Sequence, residues 1–331
     1  VMRKGATSEL TSNRSPEDFS IVKTKRGLAN GPDGQPLAAL ELVTVVVLES
    51  PAIPSGINIS VRGFSPSSWD LRENARIAEG RKFQPGRREV VVGKGVAGRY
   101  STARVGQKIP FGRGEWEVVG VVDAGRSALN SEIICDINQL AADQNREQAL
   151  SSILLRAQDE VAKQALINDI NADRRLNADA QSEIAYYEQQ TSSAAPIRYL
   201  GMFVAAIMAI GSCFAAMNTM YAAVARRSAE IGTLRVLGFS KLSVLLSFFL
   251  ESLLLSLLGG ILGCVLVLPL NNIQTGIGSF VTFSEITFDF QITPAIMMTG
   301  IAFALFMGAL GGLFPAGSAA RKQILDALRQ I

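Results

Sequence analysis

The chain has 331 residues, enough for two domains of ordinary size, and 48% of them are hydrophobic. Its formal net charge of +3 is too small to indicate a nucleic-acid partner. No histidine occurs in the sequence, which removes the general base of Ser-His-Asp and Cys-His sites and the histidine ligands of zinc sites. We therefore expect neither nucleic-acid binding nor side-chain catalysis, and we assign no catalytic or metal-binding residue.

Charged residues are concentrated in the first 198 residues, which carry 25 Lys or Arg and 24 Asp or Glu. The last 133 residues carry only 7 basic and 5 acidic side chains. We therefore predict a soluble domain over residues 1–198 and a membrane domain over residues 199–331. The three cysteines, Cys135, Cys213 and Cys264, lie far apart, and two of them fall in apolar segments, so we interpret them as core residues.

Short β-rich segments separated by Gly, Pro and Asn dominate residues 1–157. The segment 108–122 has the pattern of a hairpin, with its turn at 112–114. Apolar residues recur at helical spacing from Asp159 onward, and a second polar helical segment lies near 179–190. The pattern predicts an α+β domain with strands at residues 19–23, 40–49, 57–63, 88–93, 115–123, 131–136 and 151–157.

One segment has the spacing of a nucleotide-binding phosphate loop. The sequence GKGVAGRY, residues 93–100, matches G-x-x-x-x-G, but Arg99 and Tyr100 stand where the motif requires Lys and Ser or Thr. The lysine would contact the phosphates and the hydroxyl would hold magnesium, so the required chemistry is missing. We predict a turn between a strand and a helix here, and no ATP hydrolysis by this chain.

Three long apolar segments follow the soluble domain. Residues 199–225 contain no charge, residues 242–270 contain one, Glu251, and residues 295–314 contain none. About 20 apolar residues cross the hydrocarbon core of a bilayer as a helix, so each segment is long enough to span it. We predict three transmembrane helices and an all-α membrane domain.

The flanking segments differ sharply in their Lys and Arg content. The segment 226–241 carries four and the tail 315–331 carries three, whereas the loop 271–294 carries none. The positive-inside bias therefore places the first two in the cytoplasm, and the loop and residues 1–198 outside. A large outside domain needs a preceding span to carry it across, so we expect one more transmembrane helix before Val1, making four.

The polar segment between the first two spans, RRSAEIGTLRVLGFSK, has the features of a short helix. Ile231, Leu234 and Leu237 recur every three residues and form an apolar stripe. Gly238 can end a helix in a left-handed conformation, and Ser240 can cap the next span. The segment is either a stiff helix held between two spans or an ordinary polar loop, and the residue pattern alone does not decide between them.

Three parts of the sequence resemble the MacB/FtsX-like superfamily of ABC transporter permeases. The run ARRSAEIGTLRVLGFSKLSVLLSFFLESLLLSLLGGILG, residues 225–263, is similar to the FtsX-like permease domain, and FPAGSAARKQILDALR, residues 314–329, resembles its terminal pattern. The segments REVVVGKGVAGRY and EWEVVGVVD are similar to the MacB-like periplasmic core domain. The resemblance covers most of the chain, apart from the family's first transmembrane helix.

This resemblance implies a half-transporter with four transmembrane helices that dimerises with a second permease chain, giving a homodimer. ATP and magnesium would be bound by a separate cytoplasmic ABC ATPase, while this chain would bind no cofactor and catalyse no reaction. The segment 226–241 would contain the coupling helix that contacts the ATPase. The residues that match the family's motif there are Arg226, Glu230, Ile231, Gly232, Leu234, Arg235 and Gly238.

The resemblance also implies a mechanism and a location. ATP hydrolysis would reshape the extracytoplasmic domain by mechanotransmission and so export or release a substrate, with the permease in the cell inner (plasma) membrane. A periplasmic adaptor and an outer-membrane channel are further candidate partners. The alternative is an FtsX-like transmembrane regulator of an extracytoplasmic cell-wall hydrolase, and the size of residues 1–198 favours the transporter.

Polar and small residues within the spans are candidates for specific contacts. Glu251 is either a hydrogen-bonded structural residue or a functional one, because a carboxylate at membrane depth usually has a partner or a use. Small residues let helix backbones approach closely in lipid. They serve packing within the subunit, which we favour, or across a dimer, and they are Ser252, Ser256, Gly259, Gly260, Gly263, Gly308 and Gly312.

Overall fold

The structure, a computed structural model, describes residues 1–50, 53–125, 127–147, 150–191, 195–271, 273–278 and 284–321. It separates into two units. The first, here called the sheet unit, comprises Val1–Ala195 and Gln274–Phe288. The second, here called the helical unit, comprises Pro196–Ile273 and Asp289–Ile331. The segment that joins the last two spans therefore folds with the N-terminal residues.

The sheet unit is organised around one mixed β-sheet. Among the described residues, this sheet has eight strands, in the order β4-β7-β5-β8-β3-β2-β9 with β6 paired to β7. The pairs β1-β10 and β11-β12 form two small separate sheets. The strand bounds are β1 Met2–Arg3, β2 Ala38–Ser50, β3 Ile53–Phe64, β4 Arg76–Gly80, β5 Glu89–Gly93, β6 Lys108–Phe111, β7 Gly114–Asp123, β8 Glu132–Asp136, β9 Ser152–Leu155, β10 Ala178–Asp179, β11 Gln274–Gly278 and β12 Glu285–Asp289.

Helices pack with the sheet in the sheet unit and make up most of the described part of the helical unit. In the sheet unit they are α1 Pro16–Lys23, α2 Lys94–Arg99, α3 Ile137–Gln144, α4 Glu160–Ala172 and α5 Glu183–Thr191. In the helical unit they are α6 Ala195–Arg226, α7 Ser228–Val236, α8 Lys241–Val267 and α9 Pro294–Arg321. An α+β domain followed by a helical region is the fold class that the sequence predicts, and it is confirmed.

Both faces of the main sheet are apolar at its centre, which is why its strands are nearly continuous hydrophobic runs. Val90 and Val92 of β5 lie in one buried cluster, and Val91 between them lies in a second cluster on the other face. This alternation is the period of two that a pleated strand imposes. Trp116, which is fully buried, stacks on Phe111 with ring centroids 4.9 Å apart and fills the end of the first cluster.

Most of the strand predictions are confirmed. Strands β2, β3, β5, β7, β8 and β9 overlap six of the predicted segments. In the same order, these segments are 40–49, 57–63, 88–93, 115–123, 131–136 and 151–157. The predicted hairpin is β6-β7, in which Phe111 pairs with Gly114 across a two-residue turn. The first turn residue, Gly112, has φ of 63°, a left-handed conformation that favours glycine. Both predicted polar helices are also present, as α4 and α5.

The strand predicted at residues 19–23 is wrong, because this segment is the second half of α1. Ser15 caps the helix by accepting a hydrogen bond from the backbone of Asp18, and the Asp18 side chain accepts one from the backbone of Ser15. Pro16 occupies the first turn, where its missing N–H costs nothing. These capping signals outweigh the short β-like run FSIVK.

Within the described residues, three helices are long and apolar enough to cross a membrane: Arg198–Arg226, Lys241–Leu270 and Pro294–Ala320. The last of them continues past the predicted end at residue 314, so the first seven residues of the predicted tail are helical. Burial explains the continuation, because Ala316 and Ala319 are at most 1% exposed. The rest of that tail, residues 322–331, lies outside the described residues.

Candidate functional site

The segment between α6 and α8 is a short helix with a defined end on each side. Gly238 adopts φ of 96°, and its N–H donates to Arg235 O at 3.2 Å. Phe239 N donates to Leu234 O at 3.1 Å, so the last carbonyls of α7 are satisfied by a left-handed C-terminal turn. Ser240 Oγ accepts a hydrogen bond from Ser243 N at 3.0 Å and caps α8. The predicted roles of Gly238 and Ser240 are confirmed.

One side of α7 is anchored inside the helical unit. Ile231 is 2% exposed and packs in a cluster with residues from α6, α8 and α9, which are Met220, Val224, Val244, Phe248, Ala316 and Ala319. Gly232 is buried beside it. Two of the seven motif residues therefore hold α7 in place and present no surface to a partner.

The last turn of α7 and the residues just after it expose apolar side chains, here called the coupling patch. It consists of Leu234, Val236, Leu237 and Phe239, whose exposed fractions run from 40% to 71%. Glu230 and Arg226 are exposed beside it. Arg235 donates from Nη1 to Phe239 O at 3.0 Å and so stabilises the turn after α7. Four exposed apolar side chains within six residues, at the end of a helix, are typical of an interaction site.

The glutamate within the second span has an ionic partner that the sequence analysis missed. Arg227 Nη1 lies 3.1 Å from Glu251 Oε2 and 3.3 Å from Glu251 Oε1. Glu251 is ten residues past Lys241, about 15 Å along α8. Arg227 lies just before α7, and its long side chain extends along α8 toward Glu251. The pair favours the structural interpretation of Glu251, because pairing offsets the cost of a carboxylate at membrane depth.

The small residues of α8 fall into two groups. Ser252 Oγ donates to Gly308 O at 2.8 Å. A Cβ on Gly308 would overlap Ser256, and a Cβ on Gly312 would overlap Ser252. Gly260 similarly leaves room for Ala304, since its Cβ would lie 3.0 Å from Ala304 Cβ. This group packs α8 against α9 within one chain.

The second group has a different environment. A Cβ on Gly259 or Gly263 would meet no heavy atom of the described residues within 4 Å. These two glycines therefore do not serve the α8–α9 contact that Gly260, their neighbour, makes with Ala304.

The sheet unit contains a buried cluster of charged side chains centred on Arg62 of β3. Arg62 donates to Glu9 at 2.8 and 2.9 Å, to Glu41 at 2.9 Å and to Glu132 at 2.6 and 2.8 Å, which uses all five of its N–H groups. Arg72 binds both oxygens of Glu41. We call these five residues the Arg62 cluster. It ties the N-terminal segment to β2, β3 and β8.

Glu9 and Arg62, both buried in the Arg62 cluster, shift each other's pKa. Burial on its own would raise the pKa of Glu9, but the charge and hydrogen bonds of Arg62, with a hydrogen bond from Ser152, lower it to about 2. Burial likewise opposes the charged form of Arg62, and the three carboxylates outweigh it and raise the pKa of Arg62 well above its ordinary value. Glu9 and Arg62 therefore stay charged at neutral pH.

A cavity of about 640 Å³ lies against the Arg62 cluster. One wall is formed by members of the cluster with Ser152 of β9, and the other by α4 and α5, which contribute Leu166, Ile167, Ile170, Tyr186 and Tyr187. A concave surface with apolar walls and a few polar groups is the usual form of a small-molecule site. The sequence analysis missed both features, although single charges inside apolar strands, such as Arg62 in INISVRG, are a signal of buried ion pairs.

Two domain families match this chain. The MacB-like periplasmic core domain matches residues 2–173, which is just over half of the chain. The FtsX-like permease C-terminal domain matches residues 202–324. The chain belongs to the MacB/FtsX-type family of ABC transporter permeases. The resemblance seen in the sequence is confirmed, and the helical unit is the FtsX-like part of a membrane permease.

Curated relatives of the permease come from archaea and bacteria. The uncharacterized ABC transporter permease MJ1507 of Methanocaldococcus jannaschii is 24% identical over 293 residues, covering 84% of this chain and 69% of the relative. The uncharacterized ABC transporter permease YknZ of Bacillus subtilis is 32% identical over 114 residues, covering 34% of this chain and 26% of YknZ. The macrolide export ATP-binding/permease protein MacB of Campylobacter jejuni is 25% identical over 204 residues, covering 58% of this chain and 29% of MacB.

The match therefore spans less than a third of YknZ and of MacB. Among solved structures, the extracellular domain of YknZ aligns with a TM-score of 0.39 and 19% identity, covering 50% of this chain and 83% of that domain. The periplasmic region of MacB from Actinobacillus actinomycetemcomitans aligns with a TM-score of 0.35 and 14% identity, covering 48% of this chain and 74% of that region.

Proposed function

We propose that the permease couples ATP hydrolysis by a separate cytoplasmic ATPase to a change in the sheet unit, and thereby exports or releases a substrate outside the cell membrane. The observation that carries this proposal is the double attachment of α7. Ile231 packs in a cluster with residues of all three long helices, while the residues of the coupling patch, at the end of the same helix, are exposed. A partner that pushes or pulls on the patch would therefore move α6, α8 and α9 together.

The distribution of charge and the fold of the inter-span segment support this orientation. Four Lys or Arg residues lie in the segment 226–241, at the α7 end of the helices, and the positive-inside bias favours the cytoplasm for that end. The other end of α8 and the start of α9 are joined by residues 274–288, which fold with Val1–Ala195 in the sheet unit. The sheet unit is accordingly assigned to the outside.

We expect the two ends to be labelled from opposite sides of the membrane. Two single-cysteine variants, Ser20→Cys in α1 and Val236→Cys in α7, would be made with Cys213 and Cys264 replaced by alanine; Cys135 is fully buried and can remain. An impermeant maleimide should label Ser20→Cys in intact spheroplasts, but Val236→Cys only after lysis. Equal labelling of both variants in intact spheroplasts would refute the orientation.

Disrupting the coupling patch should separate the permease from its ATPase. Leu237→Glu combined with Leu234→Glu places two charges in an apolar contact, so recovery of the ATPase with the permease from native membranes should fall about tenfold or more. Both side chains are exposed, so the unfolding temperature should not change. Val161→Glu, at an exposed site on α4, is the matched control and should retain the ATPase.

If the double variant recovers as much ATPase as the control, the coupling patch is not the ATPase contact. Charge reversal of Glu230 and Arg235 tests the polar part of the same surface, and it too should abolish recovery. The same copurification identifies outside partners. An adaptor and an outer-membrane channel would support export by a pair of permease chains with two ATPases, whereas a cell-wall hydrolase would support a regulatory role.

A further inference from the structure

The segment between α8 and α9 is fastened to the sheet unit by a set of polar contacts, here called the clasp. Arg99 at the end of α2 forms an ion pair with Glu285 Oε1, and Tyr100 Oη donates to Glu285 Oε2 at 3.1 Å. Ser60 Oγ on β3 donates to Ser284 Oγ at 2.9 Å, and this hydrogen bond is buried. One carboxylate thus receives two donors from the same helix end.

The clasp is shielded from water. The side chain of Glu285 is 9% exposed and that of Arg99 is 23% exposed. Gly276 of β11 passes directly over the ion pair, because a Cβ at this position would overlap both the carboxylate of Glu285 and the guanidinium of Arg99. An ion pair in such a site is stronger than one at the surface, and removing one partner leaves the other charge partly buried and unpaired.

The sheet unit holds its half of the clasp rigidly. The Tyr100 ring is 2% exposed and belongs to the main apolar cluster, so only its hydroxyl reaches Glu285. Burial and the charge of Glu285 raise the pKa of Tyr100 to about 12, which keeps the hydroxyl protonated and donating. Arg99 and Tyr100 are the two residues that break the phosphate-loop pattern, and the clasp gives both of them a use.

The other half of the clasp is connected to the two spans by short segments. Three residues separate Leu270 from β11, and four separate β12 from Pro294 of α9. Within the helical unit these two connecting segments are hydrogen-bonded to each other, from Phe290 N to Ile273 O at 3.1 Å and from Ile292 N to Asn271 Oδ1 at 2.8 Å. The strands of the clasp are therefore linked to the ends of α8 and α9 by only three and four residues.

The clasp also adjoins the Arg62 cluster. A small cavity of about 30 Å³ is lined by Ser284 and Glu285 of the hairpin side, by Arg62 and Glu132 of the cluster, and by Tyr186 of α5. Helix α5 is the last helix of the sheet unit before α6. Residues of β3, β8, α5 and the segment between α8 and α9 thus meet at one small cavity within the sheet unit.

We propose that Glu285 is a positioning residue that makes the hairpin β11-β12 one rigid body with the sheet unit. Displacement of α8 and α9 then reaches the sheet unit through the Arg99–Glu285 pair. This use of the clasp rests on the proposed function, whereas the rigid attachment itself does not.

The attachment is tested by hydrogen–deuterium exchange of residues 285–289 in the full chain in lipid nanodiscs. Glu285→Ala should speed exchange of these amides at least tenfold, because the side-chain contacts with Arg99 and Tyr100 no longer hold β12 against the rest of the sheet unit. The double variant Ser60→Cys/Ser284→Cys replaces a 2.9 Å contact with a disulfide and, in the Glu285→Ala background, should return exchange to the wild-type rate until dithiothreitol is added. Glu115→Ala, which removes an exposed ion pair with Lys108, is the matched control and should leave exchange unchanged.

Transmission of movement from α8 and α9 to the sheet unit is tested in the complex with the ATPase. The measured quantity is the change in hydrogen–deuterium exchange of residues 1–191 when ATP is added. This change should disappear in Glu285→Ala and return in the disulfide variant, an effect that loss of stability alone would not reverse. Wild-type exchange of residues 285–289 in Glu285→Ala would overturn the attachment, and a disulfide that blocks the ATP response in the otherwise wild-type chain would overturn the transmission. Absence of any ATP response in the wild-type complex would instead refute the proposed function, with the attachment still judged by residues 285–289.

Discussion

Replacing Arg62 with leucine should lower the free energy of unfolding of the permease by about 3–5 kcal/mol. The guanidinium of Arg62 is the shared partner of Glu9, Glu41 and Glu132, and its side chain is 4% exposed. Leucine would leave three carboxylates close together, with Arg72 as the one remaining cation in the Arg62 cluster. Their mutual repulsion and their lost hydrogen bonds both favour the unfolded chain.

The effect can be measured by denaturant unfolding of the full chain in detergent. Both tryptophans of the protein, Trp69 and Trp116, lie in the sheet unit, so their fluorescence reports on it directly. Lys108→Leu is the control: Lys108 pairs with Glu115, both side chains are more than 60% exposed, and the loss should be at most about 1 kcal/mol. Arg62→Lys should fall between the two, because lysine keeps the charge but has fewer donors. Equal unfolding midpoints for Arg62→Leu and Lys108→Leu would contradict a stabilising role of the Arg62 cluster.

The difference in the free energy of unfolding between wild type and Arg62→Leu should depend on pH, because Glu9 titrates. Its pKa is about 2 in the folded chain against an ordinary value of 4.5, so its ion pair contributes fully above pH 4.5 and the contribution is lost as the pH falls toward 2. In Arg62→Leu the interaction that lowers this pKa is absent. The gap in stability between wild type and variant should therefore narrow as the pH falls through this window.

Gly308→Val should disrupt the packing of α8 on α9. A Cβ at this position overlaps the side chain of Ser256, so the helices must separate and the hydrogen bond from Ser252 to Gly308 O must lengthen. Overpacking of this kind costs about 1–3 kcal/mol, and sometimes more. We expect a corresponding fall in the SDS fraction at which helical circular dichroism is lost in mixed micelles.

The matched control is Gly300→Val, which makes the same substitution in the same helix. A Cβ on Gly300 meets no described atom within 4 Å, so this change tests helix propensity without the clash. Ser256→Gly, which removes the obstructing side chain, should restore part of the stability of Gly308→Val. If Gly300→Val and Gly308→Val behave alike, close α8–α9 packing does not stabilise the helical unit.

Local patterns in the sequence predicted much of the fold. Short β-rich runs predict β2, β3, β5, β7, β8 and β9, and the cap residues Gly238 and Ser240 define both ends of the turn after α7. The strand predicted at residues 19–23 is wrong because the capping box of Ser15 and Asp18 starts a helix that continues through this five-residue run. Each of these features is decided by residues close together in the chain.

The Arg62 cluster and the clasp could not be predicted in the same way, because each joins residues that are distant in sequence. Arg62 meets Glu132 only because β3 and β8 run parallel in a particular register, in which Ser60 lies beside Glu132. Glu285 reaches Arg99 across 186 positions of sequence, through a segment expected to be a loop. A shift of one residue in the register of β3 would turn Arg62 to the other face of the sheet.

The position of the clasp has a consequence for any attempt to give this chain a nucleotide site by editing its sequence. Changing Arg99 to lysine and Tyr100 to serine would complete the spelling of a phosphate loop. The same two changes would replace the guanidinium of Arg99 by an ammonium with a different reach and would remove the Tyr100 hydroxyl, so the hold on Glu285 would weaken. The edited sequence would match the phosphate-loop pattern better, while the segment between α8 and α9 would be held less firmly within the sheet unit.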